Sequence, residues 1–281
     1  MESLNTHILL INCPDERGLI YKVSKVLYGH ALNVISNGEF VEKKSGHFFM
    51  RSELSGHIDK ETILEEIKSV LPLKAGVRLS ERTKKNIVIF ATREYHCLGD
   101  LLMRHKFHDL YANIVGVVSN YDILKEVTEK FDVPFFLANH MDKSREDHEA
   151  EMGKIVSGLT PDLIVLAKYM RILSPSFVQQ YYNRIINIHH SFLPAFIGAN
   201  PYQKAYERGV KIIGATAHFV TENLDEGPII AQDIISVDHT HDAKEMAQAG
   251  RNIEKNVLAH ALKLVCSERV FVFKNKTIIF D

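Results

Sequence analysis

The residues with the clearest chemical potential lie in two short segments of the second half of the chain. Asn187-Ile188-His189-His190 ends a predicted strand, and Asp225 lies in a loop rich in turn-forming residues. Side chains alternate along a strand, so Asn187 and His189 share one face. An amide and an imidazole on one face can donate hydrogen bonds to a carbonyl oxygen that becomes negative in a tetrahedral intermediate. A carboxylate beside an imidazole can fix its tautomer, activate a water molecule or shuttle protons.

A structural interpretation of the same residues stays open. His189 would then be a strand-end histidine bonded to the backbone, and Asp225 an Asx-turn residue. His218, on the next predicted strand, is interpreted first as a buried, hydrogen-bonded histidine. His239 and His241 share one side of a loop before the last predicted helix, where capping and loop roles are favoured.

The pattern does not favour a metal or a bound cofactor. His189 and His190 point to opposite faces of their strand, which disfavours a site built from these histidines with His218 and Asp225, and H-E-x-x-H is absent. No glycine-rich dinucleotide motif or P-loop occurs. Cys97 follows His96 at a predicted helix start, and a small buried cysteine is its preferred interpretation. We expect no metal and no cofactor.

Composition excludes several classes of protein. The 281 residues are 46% hydrophobic and 25% charged, and 34 Lys and Arg balance 35 Asp and Glu. This near-neutral chain is unlike a nucleic-acid-binding protein, and its apolar runs are too short to span a membrane. Three separated cysteines argue for a reducing compartment, and charged residues come too early for a signal peptide. We therefore expect a cytoplasmic protein.

The elements that must position these residues indicate two domains, both α/β. Strand and helix periodicities in residues 1–82 follow the order βαββαβ, which is typical of a ferredoxin-like sandwich. Residues 83–85 belong to a polar stretch that we interpret as a linker. Residues 86–281 alternate nearly continuous apolar strands with helical patterns, which predicts a mostly parallel, Rossmann-like sheet covered on both faces.

The segment NIHHSFLPAFIGANPYQKAYERGVKIIGATAHFVTENLDEGPIIAQDI resembles the catalytic core of the folate-dependent formyltransferase family. The resemblance covers roughly residues 86–281. It implies an Asn187, His189 and Asp225 catalytic set and a supporting His218. It also implies that the 10-formyltetrahydrofolate substrate is bound near Arg171, Ile172, Leu173, His218 and Glu222.

Residues 1–82 resemble an ACT domain, a module that senses small molecules. The resemblance implies a homo-oligomer and an amino-acid effector, for which glycine and methionine are our candidates. We place its site near Asp15, Arg17 and Gly18, where a predicted helix begins, with Asn33 beside the same edge. A purely structural role in capping and turning the chain is the alternative for these residues.

Two departures from the amine-formylating members of the family bear on the reaction. Residues 92–100, TREYHCLGD, replace a glycine- and serine-rich phosphate loop, and His190 replaces a proline. The combination with an ACT domain is similar to members that pass the formyl group to water. The resemblance then implies release of formate and tetrahydrofolate, which balances the one-carbon folate pool and feeds purine synthesis.

Three other functions remain as alternatives. The first is a formyltransferase with a non-phosphorylated amine acceptor. The second is a regulatory binding protein with an inactive catalytic fold, and the third is a metal-dependent hydrolase.

Overall fold

The computed structural model describes residues 6–194 and 201–281, so residues 195–200 of the formyltransferase-like motif lie outside the described residues. The chain divides into two compact units. The first contains residues 1–83 and Phe280, and the second contains residues 84–279 and Asp281. The division falls within the polar segment between Glu81 and Lys85. None of the described helices is long and apolar enough to cross a membrane.

The first unit is a four-stranded antiparallel sheet with two helices. Its elements are β1 (Thr6–Pro14), α1 (Leu19–Gly29), β2 (Asn33–Glu42), β3 (His47–Ser55), α2 (Lys60–Val70) and β4 (Gly76–Glu81). The strand order is β2-β3-β1-β4, and every neighbouring pair is antiparallel. The predicted βαββαβ order is confirmed.

Alternating side chains form the core of this unit. Leu9, Ile11 and Cys13 occupy every second position of β1 and join one buried cluster. The helical spacing of apolar residues in α1 and α2 supplies the other side of that cluster, which includes Leu19, Val23, Leu27, Ile63 and Ile67. Asp59 caps α2 by accepting from the Thr62 backbone N–H.

The second unit contains a seven-stranded, mostly parallel sheet. Its first elements are β5 (Lys85–Ala91), α3 (His96–Lys106), β6 (Ala112–Ser119), α4 (Lys125–Glu129), β7 (Phe135–Leu137), α5 (Arg145–Leu159), β8 (Leu163–Leu166) and α6 (Pro175–Gln180). There follow β9 (Ile185–His189), α7 (Pro201–Arg208), β10 (Ile212–Phe219), β11 (Ile229–Ser236) and α8 (Ala243–Cys266), with β12 (Val270–Phe273) and β13 (Lys276–Ile279) as a separate hairpin.

The order of the large sheet is β11-β10-β9-β8-β5-β6-β7. Strands β9, β8, β5, β6 and β7 are parallel, whereas β10 is antiparallel to both its neighbours. The predicted mostly parallel sheet is therefore confirmed. Two elements of this unit are short: α4 has five residues, because residues 121–124 form bends and turns before it, and β7 has three.

Burial on both faces explains the continuous apolar strands. In β5, Ile87, Ile89 and Ala91 join a cluster that contains residues of α3 and α8. The alternate residues Val88 and Phe90 join a second cluster that contains residues of α5 and α6. Because neither sheet face of these strands reaches water, polar groups can collect only at the strand ends.

The longest helix, α8, begins with a capping box that we expect to contribute measurably to stability. The Asp242 carboxylate accepts a hydrogen bond from the Glu245 backbone N–H, and the Glu245 carboxylate accepts one from the Asp242 backbone N–H. We predict that Asp242→Ala lowers the free energy of unfolding by about 1 kcal/mol. Thermal unfolding should then shift down by about 2–4 °C. The control is Lys244→Ala, an exposed residue of the same first turn, and equal melting of both variants would contradict the assignment.

Candidate active site

The candidate site lies where the sheet topology opens a crevice. Successive strands β5, β6 and β7 proceed in one direction, and β8 then lies on the other side of β5. In open α/β sheets, ligands bind outside the carboxyl ends of the strands at such a reversal. The carboxyl end of β9 carries Asn187 and His189, so both reach this edge of the sheet.

Pairing of β9 with β10 brings Asn187 against His218. The two residues are register partners, and Asn187 Nδ2 lies 3.2 Å from His218 Nε2. His218 Nδ1 lies 2.9 Å from the Phe219 carbonyl oxygen, which can only accept, so we assign the proton to Nδ1. In the neutral ring, Nε2 then accepts from Asn187. The second amide N–H of Asn187 is left for another acceptor.

Asp225 lies between the two histidines. Its Oδ2 is 3.3 Å from His189 Nδ1, and its Oδ1 is 3.6 Å from His218 Nε2. Burial raises the pKa of Asp225, but its contacts with His189 and His218 outweigh burial and hold its pKa well below the ordinary value. Asp225 is therefore a carboxylate throughout the neutral pH range, and it fixes the proton of neutral His189 on Nδ1.

The other nitrogen of His189 is available for chemistry. His189 Nε2 is buried and has no hydrogen-bond partner among the described residues. With Nδ1 donating to Asp225, neutral His189 presents an unshared electron pair at Nε2, and the protonated ring presents a donor there. A buried atom of this kind is expected to meet a ligand.

A close backbone approach sets the position of Asp225. The loop between β10 and β11 returns so tightly that a Cβ atom on Gly227 would lie 1.7 Å from the Phe219 carbonyl oxygen. The Phe219 N–H also donates to the Pro228 carbonyl at 2.9 Å. Asp225 itself has a φ of 57°, a left-handed conformation that Asp tolerates better than most residues.

The predicted pteridine-binding residues lie on two separate loops at this edge. In the loop after β8, Leu173 is buried, Arg171 is half-buried and Ile172 is exposed. Arg145 donates to the Ile172 carbonyl at 2.7 Å, and buried Glu149 accepts from the Ser174 backbone N–H at 2.8 Å, so α5 holds this loop. On the β10–β11 loop, exposed Glu222 borders an open depression lined also by Val178, Gln179, Tyr182, Thr221 and Asn223.

A second buried polar cluster, which we call the Glu254 network, lies in the same unit. Glu254 on α8 accepts from His96 Nε2 at 2.8 Å and from the Tyr202 hydroxyl at 2.7 Å, and Lys168 Nζ lies 3.3 Å away. Burial raises the pKa of Glu254, but its bonds to His96 and Tyr202 and the charge of Lys168 lower it to about 2. Glu254 is therefore ionised and balanced by the Lys168 ammonium.

Cys97 belongs to the surroundings of this network. The ligand atoms of His96, Cys97 and Glu254 lie within 4.8 Å of one another, a spacing that a metal ion requires. However, the Lys168 ammonium already supplies the positive charge, and burial raises the pKa of the Cys97 thiol far above its usual range. A protonated thiol is a poor ligand and a poor nucleophile. These residues do not fit a metal site, and Cys97 is the buried cysteine that the sequence favours.

One sequence-based expectation in the first unit is wrong. Asp15, Arg17 and Gly18 lie at the start of α1, next to the end of β1 where Pro14 pairs with His47. Asn33 instead begins β2 and pairs with Ser55, at the far end of β3. Eight residues of extended strand separate these positions, about 26 Å at 3.3 Å per residue. The reason is that α1 runs back along the sheet and delivers the chain to its opposite end.

Sequence reasoning missed the residues of the Glu254 network. Lys168, Tyr202 and Glu254 are far apart in sequence, and each alone resembles a surface residue. Two glycines were detectable signals: Gly227 follows Asp225 in D-E-G-P, and Gly250 interrupts the helical pattern of α8. A Cβ atom on Gly250 would lie 2.0 Å from the Tyr202 hydroxyl, so this glycine makes room for Tyr202.

Comparisons with known proteins agree with this architecture. The Formyl transferase model matches residues 85–262, and the ACT domain model matches residues 7–72. A solved glycinamide ribonucleotide transformylase 1 from Symbiobacterium toebii has a TM-score of 0.67 and 27% identity, and the match covers 70% of this chain and 95% of that chain. The second unit is therefore a formyl transferase domain, and it follows an ACT domain.

Relatives that match both units define the family more narrowly. Formyltetrahydrofolate deformylase of Haemophilus influenzae is 52% identical over 272 residues, which cover 97% of this chain and 98% of that protein. A solved formyltetrahydrofolate deformylase from Pseudomonas syringae pv. tomato has a TM-score of 0.95 and 40% identity, with 100% of this chain and 96% of that chain covered. The chain belongs to the formyltetrahydrofolate deformylase family.

The packing of Gly227 leads to a testable expectation. In Gly227→Ala the new methyl group cannot fit beside the Phe219 carbonyl, so the loop must shift and move Asp225 away from His189. A displacement of about 1 Å can cost on the order of 100-fold in rate, and we predict a loss of that size in deformylase turnover.

The matched control is Gly153→Ala in α5, where nothing lies within 4 Å of the added methyl group. This variant should keep wild-type turnover and gain about 0.5–1 kcal/mol of stability. Full activity of Gly227→Ala in a folded protein would show that the close approach does not position Asp225.

Proposed function

We propose that the protein hydrolyses 10-formyltetrahydrofolate to formate and tetrahydrofolate. The observation that carries the proposal is the match of both units to deformylases, combined with a cluster of buried His189 and half-buried Asn187 and Asp225 at the carboxyl edge of the sheet. This role would balance the one-carbon folate pool and supply formate for purine synthesis.

In the proposed reaction, Asp225 orients the attacking water. Its carboxylate has about four lone-pair sites, and the His189 Nδ1–H engages one of them, which leaves sites for water. A carboxylate with so low a pKa is a weak base by itself. The water proton therefore passes to the Asp225–His189 pair and resides on His189 Nε2, while the new C–O bond forms at the formyl carbon.

Asn187 and His189 then stabilise the oxyanion. The carbonyl electron pair moves to oxygen as water attacks, and the free amide N–H of Asn187 and the protonated Nε2 of His189 donate to it. His218 contributes by engaging the other Asn187 amide proton, which orients the group before substrate binds.

Collapse of the intermediate completes the reaction. The C–N10 bond breaks, N10 takes the proton from His189 Nε2, and formic acid ionises to formate as the products leave. No side chain forms a covalent bond, and the steps use only groups on this chain and one water molecule. We propose no metal and no cofactor for this chemistry.

The pteridine would bind between the loop at Arg171, Ile172 and Leu173 and the loop at Glu222. Arg145 and Glu149 hold the first loop by its backbone, which presents peptide groups of fixed orientation. His218 lies next to the second loop, where its ring is close to the Asp225 carboxylate. We propose this division because flat heterocycles are commonly recognised by backbone groups within an apolar cleft.

The amine-acceptor alternative rests on the similarity of the second unit to solved transformylases. It would use the same three residues, so the acceptor alone distinguishes the two activities. The third alternative, a metal-dependent hydrolase, differs by its sensitivity to chelators.

We also propose that the first unit binds an amino acid, with glycine and methionine as candidates. The N-cap of α1 is Gly18, which offers no side chain, so the first N–H groups of the helix have no side-chain cap and favour a carboxylate. Exposed Arg17 would add a charge-assisted bond. Asn33 can join this site only from a second protomer.

We propose that the protein forms a homo-oligomer through the exposed edge of the sheet in its first unit. Strand β2 is an edge of its sheet and exposes the apolar residues Val34, Ile35 and Phe40. An edge strand with apolar side chains is a template for pairing with another copy.

We propose a cytoplasmic location, because all three cysteines are buried and unpaired.

The catalytic assignment is tested by acceptor-free release of formate from 10-formyltetrahydrofolate. We predict that Asp225→Asn lowers kcat by about 10²–10⁴-fold, as loss of proton transfer does. Asn187→Ala should lower it by about 10²–10³-fold, as loss of one oxyanion donor does. KM should change little in either variant.

The matched control is Asp238→Asn, because Asp238 also pairs with a histidine, His241, but in an exposed loop. It should retain full activity, and the wild type should remain active in EDTA. Turnover that needs an added amine would favour the transferase, and loss of activity on chelation with recovery in zinc would favour the hydrolase. Near-wild-type turnover of Asp225→Asn would make the assignment wrong.

The effector proposal is tested by calorimetric titration of the whole protein with glycine, with methionine and then with the other amino acids. We expect one of them to bind and to change the rate of formate release. Arg17→Ala should weaken that binding, whereas Lys25→Ala, which removes an exposed cation farther along α1, should not. If none of the twenty produces heat or a rate change, the unit serves in oligomerisation only.

A further inference from the structure

His190 follows the catalytic histidine but is not used by the reaction described above. Its ring stacks on that of His189, with ring centres 4.9 Å apart and planes inclined by 28°. The expectation that the two side chains point to opposite faces is therefore wrong, because the strand ends at His189 and its alternation does not extend to His190. The centre of the Tyr202 ring lies 6.4 Å from that of His190, and the two planes are inclined by 47°. The Tyr202 hydroxyl donates to Glu254, so His190 contacts both the reacting imidazole and a member of the Glu254 network.

The two stacked imidazoles face opposite charges. His189 contacts the Asp225 carboxylate. The charged groups that influence His190 are Lys168 and His189, which disfavour its protonation, and Glu254 and Asp225, which favour it. Burial is the largest influence, and together these groups lower the pKa of His190 to about 4.

This arrangement gives the adjacent rings different tasks. Two rings in contact repel each other when both are charged, so the proton released by the attacking water can reside on only one of them. Asp225 directs that proton to His189, whereas burial and the Lys168 ammonium keep His190 neutral. The Lys168 side chain is itself buried and held by Glu254, so its charge has a fixed position.

We propose that His190 is a positioning residue for hydrolysis: its uncharged ring, stacked on His189, fixes the plane of that ring, and the positive charge of Lys168 confines the transferred proton to the His189–Asp225 pair. The inference rests on the proposed deformylase function. It assigns to Glu254 the task of fixing the Lys168 charge and of holding Tyr202 beside His190.

Substitutions at position 190 separate the ring from its ionisation. His190→Ala removes the stacked ring. We expect kcat to fall about tenfold, which is less than the roughly 100-fold loss that follows a displacement of about 1 Å of a catalytic group. KM should stay within about twofold of wild type. His190→Phe retains a flat, uncharged ring and should restore kcat to within about threefold of wild type. The control is His105→Ala, which removes a half-buried imidazole from α3, outside the site.

The pH profile tests the role of Lys168. In Lys168→Met, His190 loses the positive charge of Lys168, which disfavours its protonation, and should gain a proton at a higher pH than in the wild type. The acid limb of the kcat profile should therefore move to higher pH. In the double variant Lys168→Met, His190→Phe no ring at position 190 can ionise, so the limb should return to the wild-type position.

Each outcome decides the matter. Unchanged kcat and pH profile in His190→Ala would overturn the proposal, and so would a His190→Phe enzyme as slow as His190→Ala, since that would show that the nitrogen atoms are needed. Should Lys168→Met fail to fold, the comparison of Ala and Phe at position 190 still decides. Absence of formate release by the wild type would instead contradict the proposed function.

Discussion

The contact of one carboxylate with two imidazoles is the interaction on which the rest of the site depends. Asp225 fixes the proton of His189 on one nitrogen and leaves the other, buried nitrogen without a hydrogen-bond partner among the described residues. The same carboxylate lies beside His218, which orients the amide of Asn187. Without this contact, each of the three groups could rotate or exchange protons, and the edge of the sheet would carry polar residues without a defined chemistry.

The fold serves this contact by leaving polar groups nowhere else to collect. Both faces of the parallel strands are buried under helices, so the carboxyl ends are the place where side chains from several strands meet water and ligands. The antiparallel strand β10 adds the cross-strand contact of Asn187 with His218. The tight return at Gly227 then brings Asp225 back over the end of β9.

Sequence patterns predicted what depends on local periodicity. The alternation of side chains placed Asn187 and His189 on one face, and apolar runs indicated the parallel sheet and the βαββαβ unit. Contacts between distant segments were beyond such reasoning. Glu254 occupies a position in α8 that reads as part of a charged face, and only the fold shows that it meets Lys168 and His96.

The misplacement of Asn33 has a related cause. Residues that are close in sequence were expected to share an edge, but a helix that crosses a sheet carries the chain to the opposite end. The error is one of direction rather than of element type, because periodicity reports which face a residue occupies and carries no information about which end of the sheet it reaches.

The fit of Tyr202 above Gly250 has a consequence for how sequences of this kind can change. Because the tyrosine hydroxyl occupies the volume that any side chain at position 250 would fill, neither position can vary freely while the other stays the same. Glu254, one helical turn further on, depends on the same hydroxyl. We therefore expect Tyr202, Gly250 and Glu254 to change together rather than singly among related sequences. An alignment of such sequences should show covariation between this position of α7 and these two positions of α8.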